Sequence, residues 1–231
     1  MLGILETYAQ SAIEGGKTRS HVQAVDEALA GVLEQTWADA LDLGRVYGYR
    51  NDETTAIAPT GTISFFMAAD TTSCEPDMAL VKYKTLAGGG SLKIVNRTVG
   101  AALARLGYSA PDVTTILAHI EKTDTIEGAP GLKAEHLPVF DCAFKAQNGV
   151  RFISWRGHVE MMAALQEGVS MAISKTVNMP NSASKEDVLA AYVLAWDLGV
   201  KALAVFRDGS KGVQVVSTGT GEDKAGGEDK A

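Results

Sequence analysis

The segment Ala58-Pro59-Thr60-Gly61-Thr62-Ile63 combines residue types that can hold an anion. Proline fixes one φ angle and lacks an amide proton, whereas glycine permits a tight turn with positive φ. The N–H groups around such a turn can converge into an anion-binding nest, and two threonine hydroxyls would stand beside it. From these residues alone a plain turn remains the alternative. The candidate phosphate-binding residues are Ala58, Pro59, Thr60, Gly61, Thr62 and Ile63.

Two other segments imitate known motifs but lack part of them. Gly15-Gly16-Lys17-Thr18 resembles the end of a P-loop, but Ser11 stands where that motif requires a glycine, so we predict a helix-to-helix turn. His158 and Glu160 form an H-x-E without the downstream P-C-x-x-C of the zinc deaminases. We therefore predict that His158 belongs to a helix packing face, and no metal site is expected.

The composition excludes several classes of protein. The formal net charge is -7 and no basic stripe occurs, so direct binding to nucleic acid is not expected, whereas a small phosphorylated ligand is compatible. No run of 18 apolar residues and no signal peptide is present, which predicts a cytoplasmic protein that does not span a membrane. Cys74 and Cys142 form no CxxC and no zinc-like spacing, so they are interpreted as reduced thiols.

A long helix and two short extended segments must position the candidate site. Apolar residues recur at helical spacing from Ser20 to Leu43, which predicts one long helix with a buried face, and Gly44 offers a stop. Residues 54–57 are predicted to form a short strand. Residues 63–67 resume an apolar run that is β-branched and too short for a usual helix.

A hairpin and three helices are predicted after the candidate site. Lys82 and Lys84 would share one face of a strand at a solvated edge, and Ser109 with Asp112 would cap a helix. The predicted elements are strands at Lys82–Leu86 and Ser91–Val95 around three glycines, helices at Thr98–Leu106, from Ser109 onward and at Arg156–Val169, and a surface loop at Thr123–Ala134.

The last third of the chain predicts a βαβ unit, which implies a parallel strand pair and places the chain in the α/β class. Strands are predicted at Ala172–Met179 and at residues 201–206. The helix between them would be capped by Ser184 and Asp187, with a buried stripe of Val188, Tyr192, Val193 and Trp196. Residues 216–231 repeat Gly-Glu-Asp-Lys-Ala without an apolar stripe and are predicted to be a disordered acidic tail.

Further motifs surround the candidate site in a fixed order. They are Gly48-Tyr49-Arg50-Asn51, Ile57 to Ile63, Asp70-Thr71-Thr72, Glu75-Pro76-Asp77 with Ala79-Leu80-Val81-Lys82, Leu86-Ala87-Gly88-Gly89-Gly90, Ile173 to Pro180, Tyr192, and Phe206-Arg207-Asp208-Gly209-Ser210-Lys211. Over roughly residues 17–211, this order resembles the C-terminal part of the adenosylcobalamin-dependent (class II) ribonucleotide reductases.

The resemblance implies a fold and a reaction. Residues 1–215 would form the C-terminal half of a ten-stranded α/β barrel with long flanking helices. Pro59 to Ile63 would match the loop that holds the substrate phosphates. The complete enzyme would convert ribonucleotides, expected as diphosphates, to 2′-deoxyribonucleotides by thiyl-radical chemistry, with adenosylcobalamin as its cofactor and a thiol system as its reductant.

The radical cysteine that the resemblance requires is absent. The family carries it in an Asn-x-Cys-x-Glu pattern before the phosphate loop, whereas Ser73-Cys74-Glu75 lacks that asparagine and follows the loop. Cys142 has no assigned role. We therefore expect a segment without catalytic residues of its own, which needs an N-terminal reductase segment for the rest of the barrel. The alternatives are an inactive remnant or interaction module that keeps the fold, and a fragment of the iron-dependent class I large subunit.

Overall fold

The computed structural model describes residues 27–50, 53, 55–85, 91–210 and 216–217. The predictions for residues 1–26, 86–90 and 218–231, including the P-loop-like segment, lie outside the described residues. The described elements are α1 (Glu27–Tyr47), α2 (Gly61–Phe66), β1 (Val81–Thr85), β2 (Ser91–Val95), α3 (Val99–Arg105), α4 (Ala110–Thr123), a 3-10 helix (Ala134–Phe140), α5 (Trp155–Gln166), β3 (Thr176–Met179), α6 (Lys185–Asp197), β4 (Ala204–Arg207) and β5 (Val216–Ser217).

An antiparallel sheet with strand order β2-β1-β5 forms the first packing unit. The predicted hairpin is confirmed, with Val81 opposite Val95 in β1 and β2. Residues Val216 and Ser217 pair with β1, so these two residues belong to a sheet and not to the disordered tail that we expected. The core of this unit contains Leu80, Val81, Val99, Leu103, Ile116, Ile120, Ile126, Ala129, Phe140 and Cys142.

The segment predicted as a surface loop at Thr123–Ala134 contributes to that core. Asp124 takes a left-handed conformation with φ 61° at the end of α4. The chain continues into Ile126 and Ala129, which are both buried. The surface prediction was therefore wrong for these side chains, because turn-forming residues determine the backbone path but not which side chains the turn buries.

The predicted βαβ unit is the second packing unit. Strands β3 and β4 are parallel, with Thr176 opposite Ala204, and α6 lies between them in the chain. Ile57 adds a parallel bridge to Ile173, so the segment that leads to the candidate site runs alongside residues 171–174, just before β3. The α/β class is confirmed. The described residues form a mixture of helices and strands and no closed barrel.

Helix α6 has the predicted N-terminal cap but a different buried face. Its N-terminus has the predicted capping box of Ser184 and Asp187. Ala191 and Ala195 face the core, where small side chains let the helix approach α5 closely. The expected stripe was therefore wrong for its larger members, because Tyr192, Val193 and Trp196 are 49%, 51% and 84% exposed, whereas Val188 is half-buried and packs on the core.

Helix α1 continues past the predicted stop. Gly44 lies inside the helix and packs so closely on the ring of Tyr49 that a Cβ there would lie 1.9 Å from it. The helix ends before Gly48, whose φ is +73°. Leu29 and Val32 on the expected inner face are exposed, so the described chain does not bury the whole stripe. No helix among the described residues is long and apolar enough to cross a membrane.

Candidate functional site

The predicted phosphate segment directly follows Ile57, which forms an isolated bridge. The carbonyl of Ile57 accepts from the amide of Ser174 at 3.0 Å, beside the parallel bridge to Ile173. Residues 58–60 are irregular, and α2 begins at Gly61. The strand continuation expected over residues 63–67 was therefore wrong, because Ile63 to Phe66 close a short helix despite their β propensity.

The turn leaves three amides without an intrahelical acceptor. The amide of Ser64 donates to the carbonyl of Thr60 at 3.0 Å, which is the first such bond of α2. The N–H groups of Gly61, Thr62 and Ile63 come before it, as in the first turn of any helix. These amides do not belong to a strand ladder in the described structure, so the anion nest at residues 58–63 stays a prediction.

The positive φ angle expected at Gly61 lies at Thr60 instead, with φ 47°. A β-branched residue rarely takes this conformation, which costs about 1–3 kcal/mol. Ala68 and Ser73 also have positive φ angles, of 53° and 48°. Three such residues lie within fourteen positions. The backbone of this segment is therefore strained, and contacts with the surrounding structure must hold it in place.

The side chain of Thr60 connects the turn to the following loop. Its Oγ1 accepts from the amide of Ser73 at 2.6 Å and from the Ser64 hydroxyl at 3.4 Å. Both contacts use oxygen lone pairs, so the proton of the Thr60 hydroxyl is left for a further acceptor. The hydroxyl predicted to contact a phosphate therefore also fixes the loop.

The outer side of the turn is open. A Cβ added to Gly61 would meet nothing within 4 Å. Ala58, Pro59, Thr62 and Ile63 are exposed, and Thr60 is half-buried. The turn is therefore accessible to solvent at these residues.

A buried ion pair lies behind this loop, and sequence reasoning did not find it. The Nζ of Lys175 lies 2.8 Å from Oε2 of Glu75, and its side chain is 1% exposed. The other carboxylate oxygen of Glu75 accepts from the amide of Thr176 at 2.5 Å. Both residues lie in motifs noted in the sequence, but the 100 positions between them gave no signal of their contact.

His158 on α5 completes this cluster. Its Nδ1 lies 2.9 Å from Nζ of Lys175, and its Nε2 is buried without a hydrogen-bond partner among the described residues. Burial, and secondly the charge of Lys175, lower the pKa of His158 to about 4. The ring is therefore neutral at pH 7 and accepts from the ammonium through Nδ1. The predicted packing role of His158 is confirmed by its position in the α5 core face.

The shifted pKa of His158 predicts a pH-dependent stability. The unfolded chain protonates this histidine below about pH 6.5, whereas the folded chain keeps it neutral down to about pH 4. As the pH is lowered from 7 to 5, the contribution of this group therefore reduces the free energy of unfolding by about 2 kcal/mol. We expect His158→Gln, which can still accept from Lys175 but does not titrate, to remove this loss. Urea midpoints at the two pH values test this, and an equal loss in both proteins would contradict it.

Neither cysteine is positioned as a catalytic group. Cys142 is buried, and burial is the main cause that raises its pKa to about 12, so its thiol stays protonated. Cys74 is a half-buried free thiol. The described residues include no group of three potential metal ligands among histidine, cysteine and acidic residues.

The lysine expected at a solvated strand edge takes part in another buried network. Lys82 lies 2.7 Å from Oδ1 of Asp77 and is 14% exposed, while Asn96 donates to Oδ2 of Asp77 at 2.6 Å. The prediction of a solvated strand edge was wrong for Lys82, because its ammonium group forms an ion pair with the carboxylate of Asp77. Lys82 is therefore not available as an anion ligand.

Comparison with known proteins gives a family. Residues 2–206 match the model described as the barrel domain of ribonucleotide reductase. The vitamin B12-dependent ribonucleotide reductase of Rhodopirellula baltica is 57% identical over 85% of this chain and 19% of its own length. The corresponding figures for the protein of the same name from Streptomyces coelicolor are 51%, 85% and 20%.

A more distant relative carries a more specific name. The vitamin B12-dependent ribonucleoside-diphosphate reductase of Mycobacterium tuberculosis is 36% identical over 73% of this chain and 23% of its own length. The chain thus spans about a fifth of the length of the curated relatives it matches. The family model covers most of the chain, including the whole candidate phosphate loop and the parallel strands beside it, and the chain therefore belongs to the ribonucleotide reductase barrel-domain family.

Proposed function

We propose that this chain is the phosphate-binding segment of a vitamin B12-dependent ribonucleotide reductase. The complete enzyme converts ribonucleotides to 2′-deoxyribonucleotides by thiyl-radical chemistry. Its radical cysteine comes from a part of the reductase outside this chain, N-terminal to it in the complete barrel. The observation that carries the proposal is the turn at Thr60, where the amides of residues 61–63 come before the first intrahelical hydrogen bond of α2 and a Cβ on Gly61 would meet nothing within 4 Å.

Positioning is the contribution that this turn makes to the reaction. The amides of Gly61, Thr62 and Ile63 donate to phosphate oxygens, and the Thr60 hydroxyl donates alongside them. A phosphate held at several points fixes the attached ribose, and such orientation can supply a large part of a rate enhancement. No charged side chain is needed at the nest, because backbone N–H groups carry the required partial charge.

The relatives' names favour one substrate class and one cofactor. The Mycobacterium tuberculosis relative is named for ribonucleoside diphosphates, and we propose the same substrate class here. The relatives are named as vitamin B12-dependent enzymes, which favours adenosylcobalamin over the iron-dependent alternative. When bound, this cofactor supplies the radical by breaking its cobalt–carbon bond.

The described residues do not fit the cofactor itself. A cleft lined by Leu80, Ile126 and Phe140 offers about 340 Å³ even when its open, solvent-filled part is included, which is too small for a corrin ring with its adenosyl group. The ring nitrogens of His119 and His136 contact the carbonyl of Glu127 and the hydroxyl of Tyr108. We therefore assign the cofactor site to other parts of the reductase and give this chain only a substrate-binding role.

Incomplete packing supports a partner that supplies the rest of the barrel. Parallel strands are normally covered on both faces and paired on both edges. Among the described residues, β4 pairs only with β3. The outer face of α6 exposes Leu189, Tyr192, Val193 and Trp196 at helical spacing. We propose that the remaining reductase covers these surfaces, and that the assembly works in the cytoplasm with a thiol reductant.

A chimera tests the proposed function. The matched segment of the Rhodopirellula baltica reductase is replaced by this chain, and deoxynucleotide formation from cytidine 5′-diphosphate is measured with adenosylcobalamin and dithiothreitol. We expect turnover from the chimera and none from this chain alone. The chain alone lacks the radical cysteine, so positioning cannot by itself make hydrogen abstraction accessible.

The unmodified relative and a chimera without adenosylcobalamin are the controls. A folded chimera that binds the nucleotide but gives no product would contradict an active segment and favour the catalytically inactive remnant. Turnover that depends on a diiron partner, and not on adenosylcobalamin, would favour the iron-dependent class.

A further inference from the structure

Three hydrogen bonds connect the phosphate loop to the buried ion pair. Thr60 accepts from the amide of Ser73 through its Oγ1 at 2.6 Å. The amide of Glu75 donates to the carbonyl of Thr72 at 3.0 Å and closes a turn around Ser73. Glu75 then accepts from Nζ of Lys175 at 2.8 Å. Thr60, with its strained backbone, is thus connected through these hydrogen bonds to Lys175, the residue directly before β3.

The ammonium group of Lys175 is fully satisfied. Its three protons have three acceptors, which are Oε2 of Glu75, Nδ1 of His158 at 2.9 Å and the carbonyl of Thr176 at 3.1 Å. A buried charge is stable only with such complete pairing. These three contacts restrain the conformation of the Lys175 side chain, and the carboxylate of Glu75 that pairs with it is restrained as well.

The orphaned ring nitrogen of His158 indicates that this arrangement has a function beyond stability. Because Nδ1 of the neutral ring accepts from Lys175, its proton lies on Nε2, which has no partner among the described residues. An unsatisfied buried donor costs about 1–3 kcal/mol. An apolar cluster of the same volume would avoid this cost, and local costs of this kind concentrate at functional sites.

We propose that Lys175 is a positioning residue for the phosphate loop. Lys175 holds Glu75 and, through the turn at Ser73, keeps Thr60 in the conformation that presents the amides of residues 61–63. This inference rests on the proposed phosphate-binding function. Lys175 does not touch the substrate. It acts through the backbone of the loop over residues 72–75, and its removal loosens the nest without altering any group that would contact the phosphate.

The test compares Lys175→Met with the double variant Glu75→Ala/Lys175→Met, both in this chain and in the chimera. The single variant leaves a carboxylate without its cation, which can impair folding, whereas the double variant leaves no uncompensated buried charge. We expect both variants to increase hydrogen exchange at the amides of Ser64 and Ser73, and to raise KM for cytidine 5′-diphosphate, by about tenfold or more. We expect kcat at saturating substrate to stay within about twofold.

Lys93→Met is the matched control. Lys93 forms a similarly short ion pair with Asp124, at 2.6 Å, and also donates to the carbonyl of Glu121, so its contacts lie at the end of α4 and not at the phosphate loop. We expect this variant to lower the melting temperature without changing KM or the exchange of Ser64 and Ser73. The inference is overturned if the folded double variant keeps wild-type exchange at these amides and wild-type KM. If the unmodified chimera binds no nucleotide, the proposed function fails, and the exchange data still decide whether Lys175 holds the loop.

Discussion

Gly61→Val is expected to weaken ribonucleotide binding about 100-fold or more while the chain stays folded. The open space around a Cβ at this position means that the fold tolerates a side chain there. The backbone at Gly61 does not need positive φ, since Thr60 takes that conformation. The branched side chain instead fills the space through which a phosphate oxygen reaches the three amides, and losing several charge-assisted hydrogen bonds has this magnitude.

Calorimetric titration with cytidine 5′-diphosphate measures this loss, and circular dichroism monitors the fold. Gly31→Val is the matched control, because Gly31 is also a helical glycine with nothing within 4 Å of an added Cβ and lies on α1, away from the loop. We expect the control to bind like the unmodified chain. Unchanged affinity in Gly61→Val would remove the site assignment altogether.

Met162→Ala is expected to destabilise the chain by about 2–5 kcal/mol. Met162 is fully buried on α5, in the cluster where α5 meets β3 and α6. Truncation removes apolar contacts and leaves a cavity that the close-packed alanine face of α6 cannot fill. Because His158 lies one turn earlier on the same helix, we also expect the cluster around Lys175 to loosen.

The neighbouring methionine gives the control for this prediction. Met161 is 53% exposed, so Met161→Ala should change the free energy of unfolding by less than about 0.5 kcal/mol. Urea unfolding followed by circular dichroism measures both variants. Equal destabilisation by the two substitutions would mean that the buried cluster does not form as described.

Local signals in the sequence were read correctly where a few neighbouring residues decide the outcome. Ser184 and Asp187 form the expected capping box, and Ser109 caps α4. The helix predicted at Thr98–Leu106 is α3, which has its C-cap at Leu106 and is followed by Gly107 with φ +88°. Caps and stops depend on side chains within one helical turn, so their physics is contained in the sequence.

The backbone of the candidate site differs from the one that the sequence predicted. Sequence reasoning assigned positive φ to Gly61 because glycine adopts it without strain. The structure puts it on Thr60 and starts α2 at Gly61. A strained residue persists only where contacts from elsewhere hold it, and the amide of Ser73 that holds Thr60 lies thirteen positions away.

The α/β class, the hairpin and the parallel βαβ unit were predictable from the sequence, because periodicity, caps and turn residues are properties of neighbours in the chain. The sequence did not show that alanines, and not aromatic side chains, face the core from α6, or that Lys175 is buried against Glu75 and His158. Burial depends on which surfaces meet, and a buried charge is stable only where residues distant in sequence supply its partners.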